Sequence, residues 1–568
     1  MNTDRRSFLV AGGATVAGLL TPEAAAAAAA DDAKAFVADH EARMRPLEVE
    51  ANIAWWNANT SGRDADFKKK EEAQNKIDAA LSDKPTFDRL KAIKAAKDKG
   101  ELKDPLLARQ IDLLYLAYLE KQVEPDLLRR ITAKANAVEQ QFNVYRAKVD
   151  GRELPDSEVR NVLKTSGDRG IRRKVWEASK GVGKAVEADL KDLVGLRNEA
   201  AKKLGFPNFH VLMLTLNEQD GCELLKLFDD LDSLTKGPFT AAKAEIDERL
   251  AKRAGVKPAD LLPHDYHDPF FQESPAVFEA NLDAPFARAD INRLCQDFYA
   301  GIGLPVADVI ARSDLYEKKG KSPHAFCTDI DREGDVRVLA NVVPNEYWMG
   351  TMLHELGHAV YSSKNIPKTL PYVLRAEAHI LTTEGVAMQF ERFSKSRAWL
   401  EKMGVKVEGG PAFDATAAKV QRNQLLIFSR WCQVMLRFEK GMYENPGQDL
   451  NRLWWDLVEQ YQQVRRPKDR NAPDYASKIH ICSAPVYYHN YQMGQLFASQ
   501  VHHAIAKELY GGADPKAVIY IGDRRVGDFM KKKVFEPGRT LDWKGLTKHA
   551  TGEDLSPKAF AMDFQGRV

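Results

Sequence analysis

From Asp31 to about Leu250 apolar residues recur at i, i+3, i+4 and i+7 between Asp, Pro and Gly boundaries. Segments 65–81, 104–122, 125–149 and 187–205 therefore read as amphipathic helices, each with one apolar stripe and a charged, solvated outer face. The period changes to two in one place. Residues 324–330 and 335–343 alternate or are β-branched and flank the polar turn Asp331, Arg332, Glu333 and Gly334, which predicts a hairpin. It feeds straight into 345–363, again of helical period. After the interruptions at Pro367 and Pro371 the helical pattern runs to the end. The expected fold is all-α, mostly helical, with one small hairpin. No internal repeat or low-complexity linker follows residue 31, so residues 31–568 read as one unit.

Composition narrows the class of partner. At 568 residues and 44% hydrophobic the chain can bury a large core. The net charge of +2, with acids and bases interspersed, leaves no basic stripe for nucleic acid and no polybasic patch for a membrane surface. Small or peptidic partners fit better. Arg5 and Arg6, followed by Ser7, Phe8 and Leu9 and a Gly-diluted apolar run, resemble a twin-arginine export signal with cleavage between about Pro22 and Ala30. Residues 1–30 are thus expected to be a leader, its apolar run too short to span a bilayer. The mature protein is expected to be periplasmic or secreted, without stable membrane association. The five cysteines, Cys222, Cys295, Cys327, Cys432 and Cys482, show no CxxC spacing and read as free, mostly buried thiols. No feature specifies an oligomeric state.

The candidate chemistry lies in the helix after the hairpin, where residues 354–358 read HELGH. At 3.6 residues per turn His354 and His358 project from one face and can converge on a single ion, with Glu355 beside the open position as general base. A catalytic zinc needs a third protein ligand. Two glutamates are candidates: Glu377 follows His358 with eighteen residues between, Glu384 with twenty-five. Spacing leaves both open, although Glu384 heads a helical stretch. His379 is a further candidate, more naturally read as a packed histidine.

These motifs resemble the angiotensin-converting enzyme family of zinc peptidyl dipeptidases, which belong to the gluzincin metallopeptidases. His324 and Ala325 stand thirty residues before His354, as in the family. Leu374, Arg375 and Ala378 lead to Glu384 in the family's register, and the late segment 477–491 supplies Lys478, His480, Tyr488 and Tyr491 with one extra residue between the histidine and the tyrosine pair. Softer likenesses at 54–61, 301–305 and 542–564 extend the resemblance over most of the mature chain.

The resemblance implies two helical lobes around a deep central cleft, with one Zn2+ per chain held by His354, His358 and Glu384. It also implies Glu355 as general base, with His480 and Tyr491 as oxyanion donors. A grip on the substrate's terminal carboxylate would come from Lys478, Tyr488 and Gln272, and His324 and Ala325 would hold the substrate backbone. Short peptides would lose C-terminal dipeptides. Rival expectations are a thimet-type oligopeptidase and a catalytically silent peptide-binding protein on the same fold. Three departures stand out. Val458 and Asn490 occupy the positions of the family's chloride-binding arginines, Met388 stands where an acid normally orients a zinc histidine, and the linker from His358 to Glu384 is two residues longer.

Overall fold

A computed structural model of the chain describes residues 22–278, 281–322 and 324–564. Among them the protein is overwhelmingly helical, with two two-stranded antiparallel sheets. Arg5 and Arg6 lie outside the described residues, and the boundary at residue 30 falls within the first helix, Pro22–Ser61. None of the described helices is long and apolar enough to cross a membrane.

The N-terminal helices start where the sequence supplies caps. Asp83 accepts the Thr86 N–H ahead of helix Lys84–Asp98, and Asp104 accepts from Leu106 and Leu107 ahead of Pro105–Glu120, each with proline in the first turn. Phe36 and Met44 of the first helix pack with Leu90, Ile111 and Leu114 into a core of their own, which also takes in Val373 and Leu374. The remaining helices share a larger core. Helix Arg169–Lys203 contributes Leu190 and Leu193, and the long helix Gly410–Glu444 contributes Trp431, Met435 and Phe438.

Helix 125–149 of the sequence reading is shorter than expected. It ends at Val144, and Ala147–Val149 pairs with Arg152–Leu154 across Asp150 and Gly151, both at positive φ. Asp-Gly favours this tight turn because both central residues must take left-handed backbone. The helical period upstream had masked it.

The predicted hairpin is present in trimmed form. Phe326–Asp329 pairs with Val336–Leu339, Cys327 opposite Val338. The first helix holds it in place: Trp55 and Phe326 rings lie 4.1 Å apart, Trp56 joins Ile330 and Leu339, and Asn52 donates to the Ile330 carbonyl at 3.0 Å. The HELGH helix spans Glu346–Val360, capped by Asn345 accepting from the Trp348 N–H. Met349, Met352, Leu353, Leu356 and Val360 bury its inner face completely. Each such side chain contributes about 1.5–3 kcal/mol, which offsets burial of Glu355 among them. All five cysteines are free, Cys222 exposed and Cys295, Cys432 and Cys482 buried.

Candidate metal centre and substrate contacts

The third-ligand helix begins earlier than the sequence suggested. It spans Ile380–Glu391, with the His379 side chain accepting the Leu381 N–H and Thr382 accepting back from His379. Glu384 therefore sits in its second turn. This helix packs against the HELGH helix, close enough that a Cβ on Gly357 would lie 2.7 Å from Ala387 Cα. The helix of the late tyrosines, His489–Leu509, crosses on the other side, where a Cβ on Gly494 would stand 3.0 Å from Glu384 Cβ. Two glycines thus set the depth at which Glu384 meets the histidines.

The result is a compact donor set. His354 Nε2 lies 3.2 Å from His358 Nε2, and Glu384 Oε2 lies 3.5 and 3.9 Å from them. A tetrahedral ion with ligand bonds near 2.1 Å needs donors about 3.4 Å apart. Glu384 Oε2 is buried without a hydrogen-bond partner, as expected of an atom reserved for a cation. Glu377, its rival, is not part of this cluster. Its carboxyl is pushed up to about 7 by burial, with Asp329 adding to the effect.

Both histidines are oriented through their far nitrogens. His354 Nδ1 is 2.8 Å from Glu391 Oε2, and His358 Nδ1 is 2.8 Å from Thr383 Oγ1. These partners fix the tautomer with Nδ1–H, which leaves Nε2 free to bind metal. Burial opposes a charge on His354, but Glu384 and Glu391 outweigh it and raise the imidazole well above its usual value. His358 is pushed down to about 4 by burial. The Glu384 carboxyl is desolvated, yet His354 and His358 hold it below its normal range. Glu355 is buried beside them and pushed up to about 7, chiefly by desolvation, while the Cys327 backbone N–H bonds its carboxylate. The hairpin strand thus lies directly over the HELGH helix.

The late segment delivers an aromatic group to the same place. The His480 and Tyr488 rings are 4.8 Å apart, His480 and Tyr491 6.3 Å, and Tyr488 and Tyr491 5.2 Å. Tyr491 lies within reach of the Glu384 and Glu355 charges, which with burial raise its hydroxyl. His480 is pushed down to about 3 by burial and by Lys478, so it is neutral. Lys478 is only 7% exposed. Its Nζ donates to Gln272 Oε1 at 2.6 Å within a cage of Phe270, Trp431 and Tyr488 rings, each about 5.3–5.4 Å away. His324 is exposed at the entry to the hairpin, and its charge is felt at His480; Ala325 is half-buried against the main core.

Sequence comparison adds the family. The profile described as angiotensin-converting enzyme matches residues 27–234, and that of peptidase family M3 matches residues 310–566. Each match covers less than half of the chain, and together they support an angiotensin-converting-enzyme-like gluzincin metallopeptidase. A search of curated proteins finds no match. Similarity to these zinc metallopeptidases agrees with the donor set, since two imidazoles and one carboxylate suit zinc and leave a fourth position open.

Against the angiotensin-converting enzyme pattern that the chain resembles, the orienting acid is displaced. Met388, four residues past Glu384, cannot serve, and Glu391, three further on, takes the task. Seven residues are two helical turns, so Glu384 and Glu391 share a face. Sequence reasoning missed Glu391 and Thr383, although an acid at i+7 and a hydroxyl beside the ligand were both visible signals. It also passed over Tyr487, whose hydroxyl lies 3.4 Å from Glu384 Oε1. At the positions of the family's chloride arginines, Asn490 accepts from Gln219 at 2.8 Å and Val458 lines a small cavity with Lys180 and Trp454. His379 is a packed cap that also meets the Asn217 carbonyl at 3.0 Å.

Proposed function

We propose that this chain is an exported zinc peptidyl dipeptidase that removes C-terminal dipeptides from short peptides. The observation that carries the reading is the buried Lys478 and Gln272 pair in its aromatic cage. A lysine held that deep, with a neutral amide as its hydrogen-bonded neighbour, keeps donors for an incoming carboxylate. The His480 ring, two residues on, lies 6.3 Å from that of Tyr491. A free C-terminus bound at Lys478, Gln272 and Tyr488 would place a bond near its end beside Glu355.

Zinc, when bound by His354, His358 and Glu384, supplies a Lewis acid for the scissile carbonyl and makes water acidic enough to attack at neutral pH. Glu355 takes the proton of the attacking water and returns it to the leaving amine. Tyr491 donates its hydroxyl proton to the oxyanion, and neutral His480 donates an N–H. Each donor is worth about 3 kcal/mol in the transition state. Ala325 and the edge of strand Phe326–Asp329 that faces away from Val336–Leu339 hold the substrate backbone, with His324 at the entrance. Export rests on Arg5 and Arg6 and the apolar run after them, and places the activity in a periplasm or outside the cell.

The match of peptidase family M3 over the catalytic half favours a second reading, an oligopeptidase that cuts within short peptides. Mass spectrometry of products from paired peptides with free and amidated C-termini separates the two. Stepwise loss of two residues, abolished by amidation, is expected. Equal cleavage of both forms at internal bonds would overturn the dipeptidase reading in favour of the second.

A further inference from the structure

We propose that Tyr487 is a positioning residue for the third metal ligand, carried to Glu384 by a strained turn at Val486 that Glu439 holds. The proposal rests on the metal reading of His354, His358 and Glu384.

Between His480 and the tyrosine pair the backbone turns at Val486. Its φ of 54° is left-handed backbone, which a β-branched residue adopts only where its surroundings impose it. Glu439 of the long helix is the imposing group: 2% exposed, it accepts the Val486 N–H through Oε1 at 2.8 Å. Burial pushes this carboxyl up to about 8, so at neutral pH it is a neutral acceptor that needs no counter-ion. The turn fixes where helix His489–Leu509 begins, and with it the direction of three tyrosines.

Tyr488 goes to the lysine cage and Tyr491 to the neighbourhood of Glu355. Tyr487 goes to Glu384, its hydroxyl 3.4 Å from Oε1, while Oε2 faces His354 and His358. The two carboxylate oxygens are thereby divided, one held outward and one offered to the metal. The Tyr487 ring lies 5.2 Å from that of Tyr491, and their hydroxyls also interact.

Zinc affinity measured by chelator competition on the full chain tests this without relying on turnover. Wild type is expected to bind one zinc, and Tyr487→Phe to bind it 10- to 100-fold more weakly at an unchanged melting temperature. Glu439→Leu is expected to weaken zinc in the same direction, and Glu439→Gln, which keeps an acceptor, to stay within about threefold of wild type. Tyr487→Phe binding zinc like wild type would overturn the proposal alone, and Gln as weak as Leu at position 439 would overturn the role of the turn. Wild type binding no zinc would overturn the metal reading and this proposal with it.

Discussion

Glu391 Oε2 lies 2.8 Å from His354 Nδ1, at the far end of the helix that carries Glu384. The two helices run so that the first histidine meets the end of the ligand helix and the second meets Thr383 near its start. An acid two turns beyond the ligand therefore does what the sequence led one to seek a single turn beyond it. Partners of this kind are worth 10- to 100-fold in metal affinity. Glu391→Ala should weaken zinc binding by that factor, and Glu391→Gln, whose amide oxygen still accepts from Nδ1–H, by less. Chelator titration at constant pH measures both. Equal affinity for Glu391→Ala and wild type would remove Glu391 from the metal centre.

Lys478 gives the proposed carboxylate grip a pH dependence. Burial lowers its ammonium to about 8, against the opposing pull of Asp268 and Glu273, while Arg160 adds to the lowering. The cation is thus present below about pH 8 and lost above it. KM for peptides with a free C-terminus should be flat from pH 6 to about 7.5 and climb above 8, with kcat less affected. Lys478→Arg keeps its charge and should abolish the climb, whatever its KM. A KM profile that is the same in both proteins would separate Lys478 from carboxylate binding.

How much of this was legible follows from the range of each interaction. HELGH could be read because i and i+4 on a helix share a face whatever else the chain does. The lysine grip was visible only through resemblance, because Gln272 and Lys478 are 206 positions apart and meet through tertiary packing. Thr383 and Glu391 were local and still missed, since which side of a helix faces the metal depends on how it crosses its neighbour. The Asp150–Gly151 hairpin was misread for the opposite reason: a strong helical period upstream hid a two-residue signal. The turn at Val486 could not have been foreseen, because no sequence rule places valine in left-handed backbone.

The helix crossing is sensitive to a single methyl group. A Cβ at Gly494 would lie 3.0 Å from both Glu384 Cβ and the Leu381 carbonyl. Gly494→Ala should push the ligand helix away from the histidines, lowering stability by about 1–3 kcal/mol and zinc affinity together. Gly404→Ala has open space around it but lies at φ 83°, so it should cost stability while leaving zinc binding intact. Denaturation of the apo proteins and zinc titration read the two effects separately. If Gly494→Ala bound zinc normally, the close approach would be packing alone.

Asp563, in the last described helix, braces the segment immediately after Glu391. Its carboxylate meets Arg392 at 3.0 Å, Ser499 at 2.6 Å and His503 at 2.9 Å. Burial alone would raise this carboxyl, but Arg392 first, then His503 and Ser499, hold it far below the usual carboxylate range. A group depressed in the folded state stabilises it fully above the unfolded value of about 4, and that contribution is lost as pH falls toward the folded value. Asp563→Asn should therefore cost about 3 kcal/mol at pH 7, because it leaves Arg392 without its buried counter-ion. The gap from wild type should narrow steadily below pH 4, where the aspartate of the unfolded chain takes up a proton that the folded one does not. Urea unfolding monitored at pH 7 and again near pH 3 gives both differences. A gap of the same size at the two pH values would mean that Asp563 supports the fold by shape and not by charge.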